Sequence, residues 1–265
     1  MEAGMKKKFI CSYCGGEGKS KEHIFPSWLL RETPEYELKK DSLKGTVGPN
    51  ENTVIDVCPS CNNGPLSKLD TYCHELYKSF WSKVVRDKIL FTYDFFKLTR
   101  WLLKVSFNAA RHQKTDAGSF KPYIRYMLGD DAGPPDRVLF FVEVIKPSLA
   151  IMDGEKVDVE PHDHRVGTMP LGKNAPFDVV QEARFVAINS FYFYIIFLKD
   201  SPSEAIIEAI KANLPQQWVR LAPENESVEV HPMRHYLEVK SVEVERNRDL
   251  YTKGLQRHSG ERKGK

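Results

Sequence analysis

Long apolar runs are missing from this 265-residue chain. No stretch approaches the roughly 18 apolar residues that a membrane-crossing helix needs, so no membrane partner is expected. Met5-Lys6-Lys7-Lys8 runs directly into Phe9-Ile10-Cys11 without the apolar segment of a secretory leader, which predicts a cytoplasmic location. A large excess of one sign of charge is missing as well. The net charge is +3, too little for the whole molecule to act as a generic polyanion binder. Neither an internal repeat nor a coiled-coil pattern is present. Cysteine is sparse, five in all, but four of the five are not scattered.

Those four form two Cys-x-x-Cys pairs, Cys11/Cys14 and Cys58/Cys61. Two such pairs can supply four thiolates to one tetrahedral zinc, each gripping the metal from a tight turn. Gly15, Gly16 and Gly64, just past the pairs, suit such turns. A short segment buries too little apolar surface to offset its chain entropy. A structural zinc would make up the difference with about 10–16 kcal/mol of apparent binding free energy. A redox role for one pair would need a βαβ context that is absent, and two disulfides would need an oxidising compartment that nothing marks. Cys73 lies at helical spacing with Leu69 and Leu76 and is expected to be a small buried hydrophobe.

Four thiolates close the coordination shell, so this zinc would hold structure and leave any chemistry to residues between the pairs. Lys21-Glu22-His23-Ile24-Phe25-Pro26 lies there. Asn62-Asn63-Gly64 follows Cys61 at the head of a periodic apolar stretch (Leu66, Leu69, Cys73, Leu76, Tyr77, Phe80) that predicts a helix. A zinc joining the two turns would bring Glu22, His23 and Asn62 near one another. A carboxylate and an amide oxygen are hard ligands suited to Mg²⁺ or Mn²⁺, and an adjacent imidazole can take a proton from water at neutral pH. Together they form a minimal kit for metal-assisted phosphodiester hydrolysis.

Cys11-x-x-Cys14, Glu22-His23-Ile24-x-Pro26 and Cys58-x-x-Cys61-Asn62 together resemble the zinc-bearing branch of the HNH (ββα-metal) nucleases, over residues 9–70. The resemblance implies a ββα-metal module and an endonuclease that hydrolyses DNA to a 5′-phosphate and a 3′-hydroxyl. It implies His23 as the general base, Glu22 as the acidic ligand of a catalytic Mg²⁺ or Mn²⁺, and Asn62 as the helix residue completing that site, with Asn63 a second candidate. Asn52, ahead of the strand Thr53-Val54-Ile55-Asp56-Val57, matches the asparagine that braces the loop holding the base. The chain departs from the common pattern in three places: Glu22 stands where Asp is more usual, Asn52 is one residue further from Cys58, and Asn62 replaces the histidine of the name-giving members. Chains of this make-up resemble bacterial and phage nucleases of restriction and anti-phage defence, a placement by analogy. Two other readings stay open: a zinc-stabilised nucleic-acid-binding module without hydrolysis, and an effector gated by a ligand or a regulatory protein. A homodimer is equally open.

The fold class expected is α+β, in four parts. Residues 1–75 form the ββα-metal module, 76–122 a basic, aromatic helical connector, 123–245 an α+β domain with an antiparallel sheet, and 246–265 a basic tail. Ser27-Trp28-Leu29-Leu30 predicts a short helix or turn, and residues 31–50, charged and broken by Pro34, Gly45, Gly48 and Pro49, an inserted loop. Residues 78–125 hold eleven Lys and Arg against three Asp. Leu98, Trp101, Leu102, Val105 and Ala109 recur at helical spacing, with Lys97, Arg100, Lys104 and Arg111 to the side, so a basic flank could dock DNA phosphates or simply be solvated. Residues 138–145, 149–152, 183–188 and 191–197 are β-branched or aromatic runs of strand length, with Asn189-Ser190 as a tight hairpin. Residues 203–214 predict a Ser-capped helix and 228–230 a short strand. His162-Asp163-His164 sits in a polar loop where exposure is the plainer reading than metal binding.

Overall fold

The computed structural model describes residues 9–32, 38–41, 46–49, 52–130, 133–152, 154–162 and 164–239. Strand β1 (Ser20–His23) leads to helix α1 (Ser27–Arg31), the hairpin strands β2 (Leu38–Asp41) and β3 (Thr46–Pro49), and β4 (Thr53–Val57). β1 pairs antiparallel with β4, setting Glu22 opposite Val54 and His23 opposite Thr53. The chain then winds through α2 (Pro59–Cys61), a wide turn at Asn62–Leu66, α3 (Ser67–Leu76) and a second wide turn at Tyr77–Trp81. Gly64 leaves helical geometry just before Pro65, so the kink falls where proline removes an intrahelical donor. The hairpin β2–β3 departs from the loop expected over residues 31–50, whose composition carries no alternating pattern to announce strands.

After β5 (Ile89–Thr92) comes α4 (Phe95–Gln113). The Asp94 carboxylate caps it, accepting from Lys97 N at 3.0 Å, and Lys114 closes it at φ 55°. Thirteen of its 19 residues are buried, on nearly every face, which makes it a core helix rather than a surface one. The exposed basic flank expected there is therefore corrected: Lys104 is wholly inside the protein and Arg111 nearly so. One apolar cluster, with α4 in its middle, takes in residues from Cys11 to Val230.

The remaining elements are α5 (Ile124–Leu128), β6 (Val138–Lys146), β7 (Ser148–Met152), β8 (Glu155–Val159), β9 (His164–Thr168), β10 (Val180–Ile188), β11 (Phe191–Leu198), α6 (Glu204–Asn213), β12 (Val219–Leu221), β13 (Ser227–Val230) and β14 (Arg234–His235). One sheet has the order β12-β6-β11-β10-β9, with β14 joining β6 in parallel. One face of it, including Phe140, Val142, Ile188, Phe193 and Phe197, belongs to the core around α4. The other, including Phe141, Ile145, Tyr194 and Ile196, packs with Ile207 and Ile210 of α6. Burial of both faces explains why β11 reads as an unbroken apolar run and β6 as one interrupted by Glu143. Asn189 takes φ 50° in the two-residue turn between β10 and β11, and its amide donates to Trp81 O at 2.8 Å. That bond pins the hairpin tip to the end of the long helical stretch. Ser203 caps α6 as expected.

The molecule is thus mixed α+β with antiparallel sheets. Among the described residues no helix is long and apolar enough to cross a membrane. The basic tail expected at residues 246–265 lies outside the described residues, as does Asp163.

Candidate metal centre and adjoining cleft

The four cysteines come together. Cys11 N donates to Gly16 O at 2.8 Å and Gly15 N to Cys11 O at 2.9 Å, folding the first pair into a knuckle in which Gly15 takes φ 72°. Cys58 caps α2, its Sγ accepting from Cys61 N at 3.4 Å, with Pro59 at the first helical position. All four Sγ atoms lie within 4.8 Å of one another, and those of Cys14 and Cys58 are 3.6 Å apart. Zinc–sulfur bonds of about 2.3 Å in a tetrahedron separate the sulfurs by roughly 3.8 Å. The thiols are free, with no disulfide between them. Burial pushes Cys61 up, and the neighbouring thiols add to it, so the cluster asks for a cation before it can carry several thiolates. Spacing and charge both fit a zinc ion held by these four side chains. Cys73 is fully buried on α3 with a thiol pushed well up by burial, the behaviour of a small hydrophobe.

Against this knot lies an open cleft of about 320 Å³. Glu22 and His23 line it from the end of β1, Asn62 and Asn63 from the turn after Cys61, and Asp70 and His74 from α3. Trp28 of α1 forms part of the wall, its indole stacked on the His74 ring at 4.5 Å between centroids. Asn62 Nδ2 donates to Ser20 Oγ at 2.9 Å and to Lys21 O at 3.2 Å. Those bonds tie the helical turn to β1 and leave the amide oxygen, the atom that could bind a cation, uncommitted to that strand. Asp70 and His74 were not among the sequence-derived candidates. They stand four residues apart on the flank of α3 beside the Leu69, Cys73 and Leu76 stripe, so helical spacing could have found them.

The floor of the cleft is a buried ion cluster. Lys104 Nζ reaches in from α4 to lie 2.7 Å from Glu22 Oε1 and 2.7 Å from both Asp70 oxygens, with none of its side chain exposed. Trp101 Nε1 donates to Asp70 Oδ1 at 3.0 Å. Glu22 Oε1 thus has the Lys104 ammonium as its charge partner at ion-pair distance. Burial pushes the Glu22 carboxyl up, with the lysine offsetting it only in part. Burial alone would lower Lys104, but Asp70 and Glu22 together hold its ammonium above the ordinary value. One cation thus faces two carboxylates.

α4 also holds the strand carrying His23. Asn108 Nδ2 donates to His23 O at 3.4 Å, and Asn108 Oδ1 accepts from Tyr13 OH at 2.8 Å and Arg111 Nη2 at 2.6 Å. Arg111 Nη1 in turn pairs with Asp56 at 2.6 Å. Asn52 is not a lining residue of the cleft; its backbone carbonyl accepts from Ile24 N at 2.9 Å. The asparagine side chain that reaches the His23 backbone is thus Asn108. Of the other expected phosphate contacts, Arg100 stacks over the Tyr126 ring at 4.9 Å and Lys97 is exposed beside Asp94. His162 is exposed near Glu160, whereas His164 is buried against Phe25, because β9 carries it into the core in place of the loop expected. Among the described residues the four cysteines form the metal-competent group of His, Cys, Asp and Glu side chains.

Comparison with protein-family models, with curated proteins and with solved structures returns no match to this chain.

Proposed function

We propose that the protein is a divalent-metal-dependent endonuclease of the HNH type, hydrolysing DNA phosphodiester bonds in the cleft beside a structural zinc. The observation that supports this reading is the convergence of Glu22, His23 and Asn62, from two distant segments, on one open cleft next to the four cysteines. His23 takes the proton of the attacking water. Glu22 and Asn62 would hold a Mg²⁺ or Mn²⁺ ion, which when bound stabilises charge developing on the phosphate oxygens. A carboxylate offers about four lone-pair sites, so Glu22 can face Lys104 and an ion together. Asn108, fixed by Tyr13 and Arg111, steadies the backbone that carries the base. With Lys104 and Arg111 internal, docking of the DNA backbone falls to cations such as Lys21 at the cleft and Lys97 on α4.

Lys104 also favours a second reading, in which the carboxylates are already compensated and the cleft binds nucleic acid without cutting it. Supercoiled plasmid incubated with the zinc-loaded protein separates the two. Nicked or linear product with Mg²⁺ or Mn²⁺, absent without them, supports hydrolysis; intact plasmid under every condition, with retention in a binding assay, supports the module.

A further inference from the structure

Two imidazoles line the cleft, and the proposed mechanism uses one. His23 reaches it from the end of β1 and His74 from α3. A half-buried histidine normally commits a ring nitrogen to a fixed partner. His112 and His235 do so, their Nδ1 atoms lying 3.2 Å from Thr53 O and 2.9 Å from Pro147 O. Even the exposed His231 has its Nε2 2.9 Å from Glu229 Oε1. His74 differs. It is half-buried, yet among the described residues neither of its ring nitrogens makes a hydrogen bond, and neither is closed off from solvent. Asp70, one turn earlier on α3, is engaged elsewhere, with both oxygens held by Lys104 and Oδ1 also by Trp101. The ring is nevertheless fixed. It lies on the Trp28 indole at 4.5 Å between centroids, the planes 26° apart, and Tyr77 meets the same indole edge-on at 5.4 Å. An imidazole has thus been ordered by stacking while its polar atoms stay available at the cleft.

Hydrolysis of a phosphodiester moves two protons. One leaves the attacking water, and one must reach the 3′-oxygen as its bond to phosphorus breaks, because an alkoxide is a poor leaving group. His23 accounts for the first alone. Resting on the nuclease reading above, we infer that His74 is the general acid of the reaction and that Trp28 is its positioning residue. The water oxygen bonds to phosphorus while its proton passes to His23. The bond between phosphorus and the 3′-oxygen breaks, and that oxygen takes the ring proton of His74, leaving a 5′-phosphate and a 3′-hydroxyl. His74 regains a proton from solvent and His23 releases one to it, so no further reactant is consumed. Imidazole suits both parts because it exchanges a proton near neutral pH. The assignment also orients the substrate, with the 3′ side of the cut against α3.

Duplexes carrying sulfur in place of the bridging 3′-oxygen test this, because a thiolate leaves without first taking a proton. Single-turnover rates are measured with Mn²⁺ on the zinc-loaded protein, for the oxygen and the sulfur duplex in parallel. His74→Phe keeps a ring against Trp28 but has no proton to give. It should lose about 10²-fold on the oxygen duplex and stay within about threefold of wild type on the sulfur duplex, with zinc content and far-ultraviolet circular dichroism unchanged. His74→Gln, polar and without an acidic proton, must show the same split. His23→Ala, which lacks the base, should lose rate on both duplexes. Equal loss on both duplexes in the His74 variants, or loss on neither, overturns the inference and leaves the nuclease reading standing. Rescue of His23→Ala by sulfur to the same extent overturns the assignment of the acid to His74. A wild type that cuts neither duplex overturns both readings.

Discussion

Two buried carboxylates of this molecule carry similar charge partners and opposite surroundings. Glu143, in the middle of β6, has no exposed surface; its Oε1 accepts from Arg234 Nε at 2.6 Å, and its Oε2 from Arg234 Nη2 at 2.5 Å, Tyr194 OH at 2.7 Å and Trp218 Nε1 at 3.1 Å. The Trp218 and Tyr194 rings stack at 3.6 Å and cover it. Glu22 shares a single ammonium with Asp70 and borders an open cleft. In the first cluster both carboxylate oxygens accept hydrogen bonds, four in all. The second borders open space, and it is there that the proposed reading places a divalent ion. Burial of an ion pair therefore does not by itself mark structure or function; the open space beside one of the two clusters separates them.

The comparison can be broken in several ways, beginning with what supports the cluster at the cleft. Cys58→Ser or Cys61→Ser should give insoluble or unfolded protein, measured as lost expression in the soluble fraction, because a structural zinc of this kind would supply about 10–16 kcal/mol of folding free energy. His23→Ala should keep zinc and fold while cleavage falls by about 10²–10⁴-fold, the usual contribution of a positioned general base. Glu143→Gln should do the reverse. Arg234 keeps about a third of its side chain exposed, so losing the carboxylate should cost about 1–3 kcal/mol, read by denaturant unfolding, while the cleavage rate per folded molecule stays unchanged. A Glu143 variant that lost activity at full stability would erase the distinction between the clusters.

The smallest expected effect concerns the cap of α4. Burial pushes the Asp94 carboxyl up, but hydrogen bonds from the Lys97 backbone and ammonium outweigh it and hold the group below its ordinary value. A depressed carboxyl stabilises the fold above the unfolded pKa, and that contribution is lost as pH falls through the folded one. Asp94→Ala should cost about 0.5–2 kcal/mol near neutral pH, the range for losing an N-cap, and less once the wild-type carboxyl is protonated. Urea unfolding of both proteins at neutral and acid pH reads the difference.

How much of this was legible beforehand depended on the range of the interaction. The meeting of the cysteine pairs, and with it the placement of Glu22, His23 and Asn62 at one cleft, could be read because each motif is local and a four-thiolate site dictates the cysteine spacing. The Asn189-Ser190 turn and the Ser203 cap were legible for the same reason. Lys104 was not. Its position, seven residues from both Lys97 and Arg111, places all three on one side of a helix, which reads as a solvated flank. Only Glu22, 82 residues earlier in the numbering, and Asp70, 34 earlier, make its burial tolerable, and no pattern along the chain records that meeting. Asn108 was hidden in the same way, its contact with His23 O spanning 85 residues. Strand β9 escaped because His164-Arg165-Val166-Gly167-Thr168 lacks the β-branched run that marked β6 and β11.

The most direct test is the single-turnover rate at which zinc-loaded protein cuts an end-labelled DNA duplex with saturating Mn²⁺, wild type beside His23→Ala at equal zinc content. The account predicts cleavage to 5′-phosphate ends by the wild type and a loss of at least 100-fold in the variant. Cleavage that survives in His23→Ala within threefold, or no cleavage by the wild type with either Mn²⁺ or Mg²⁺, would contradict it.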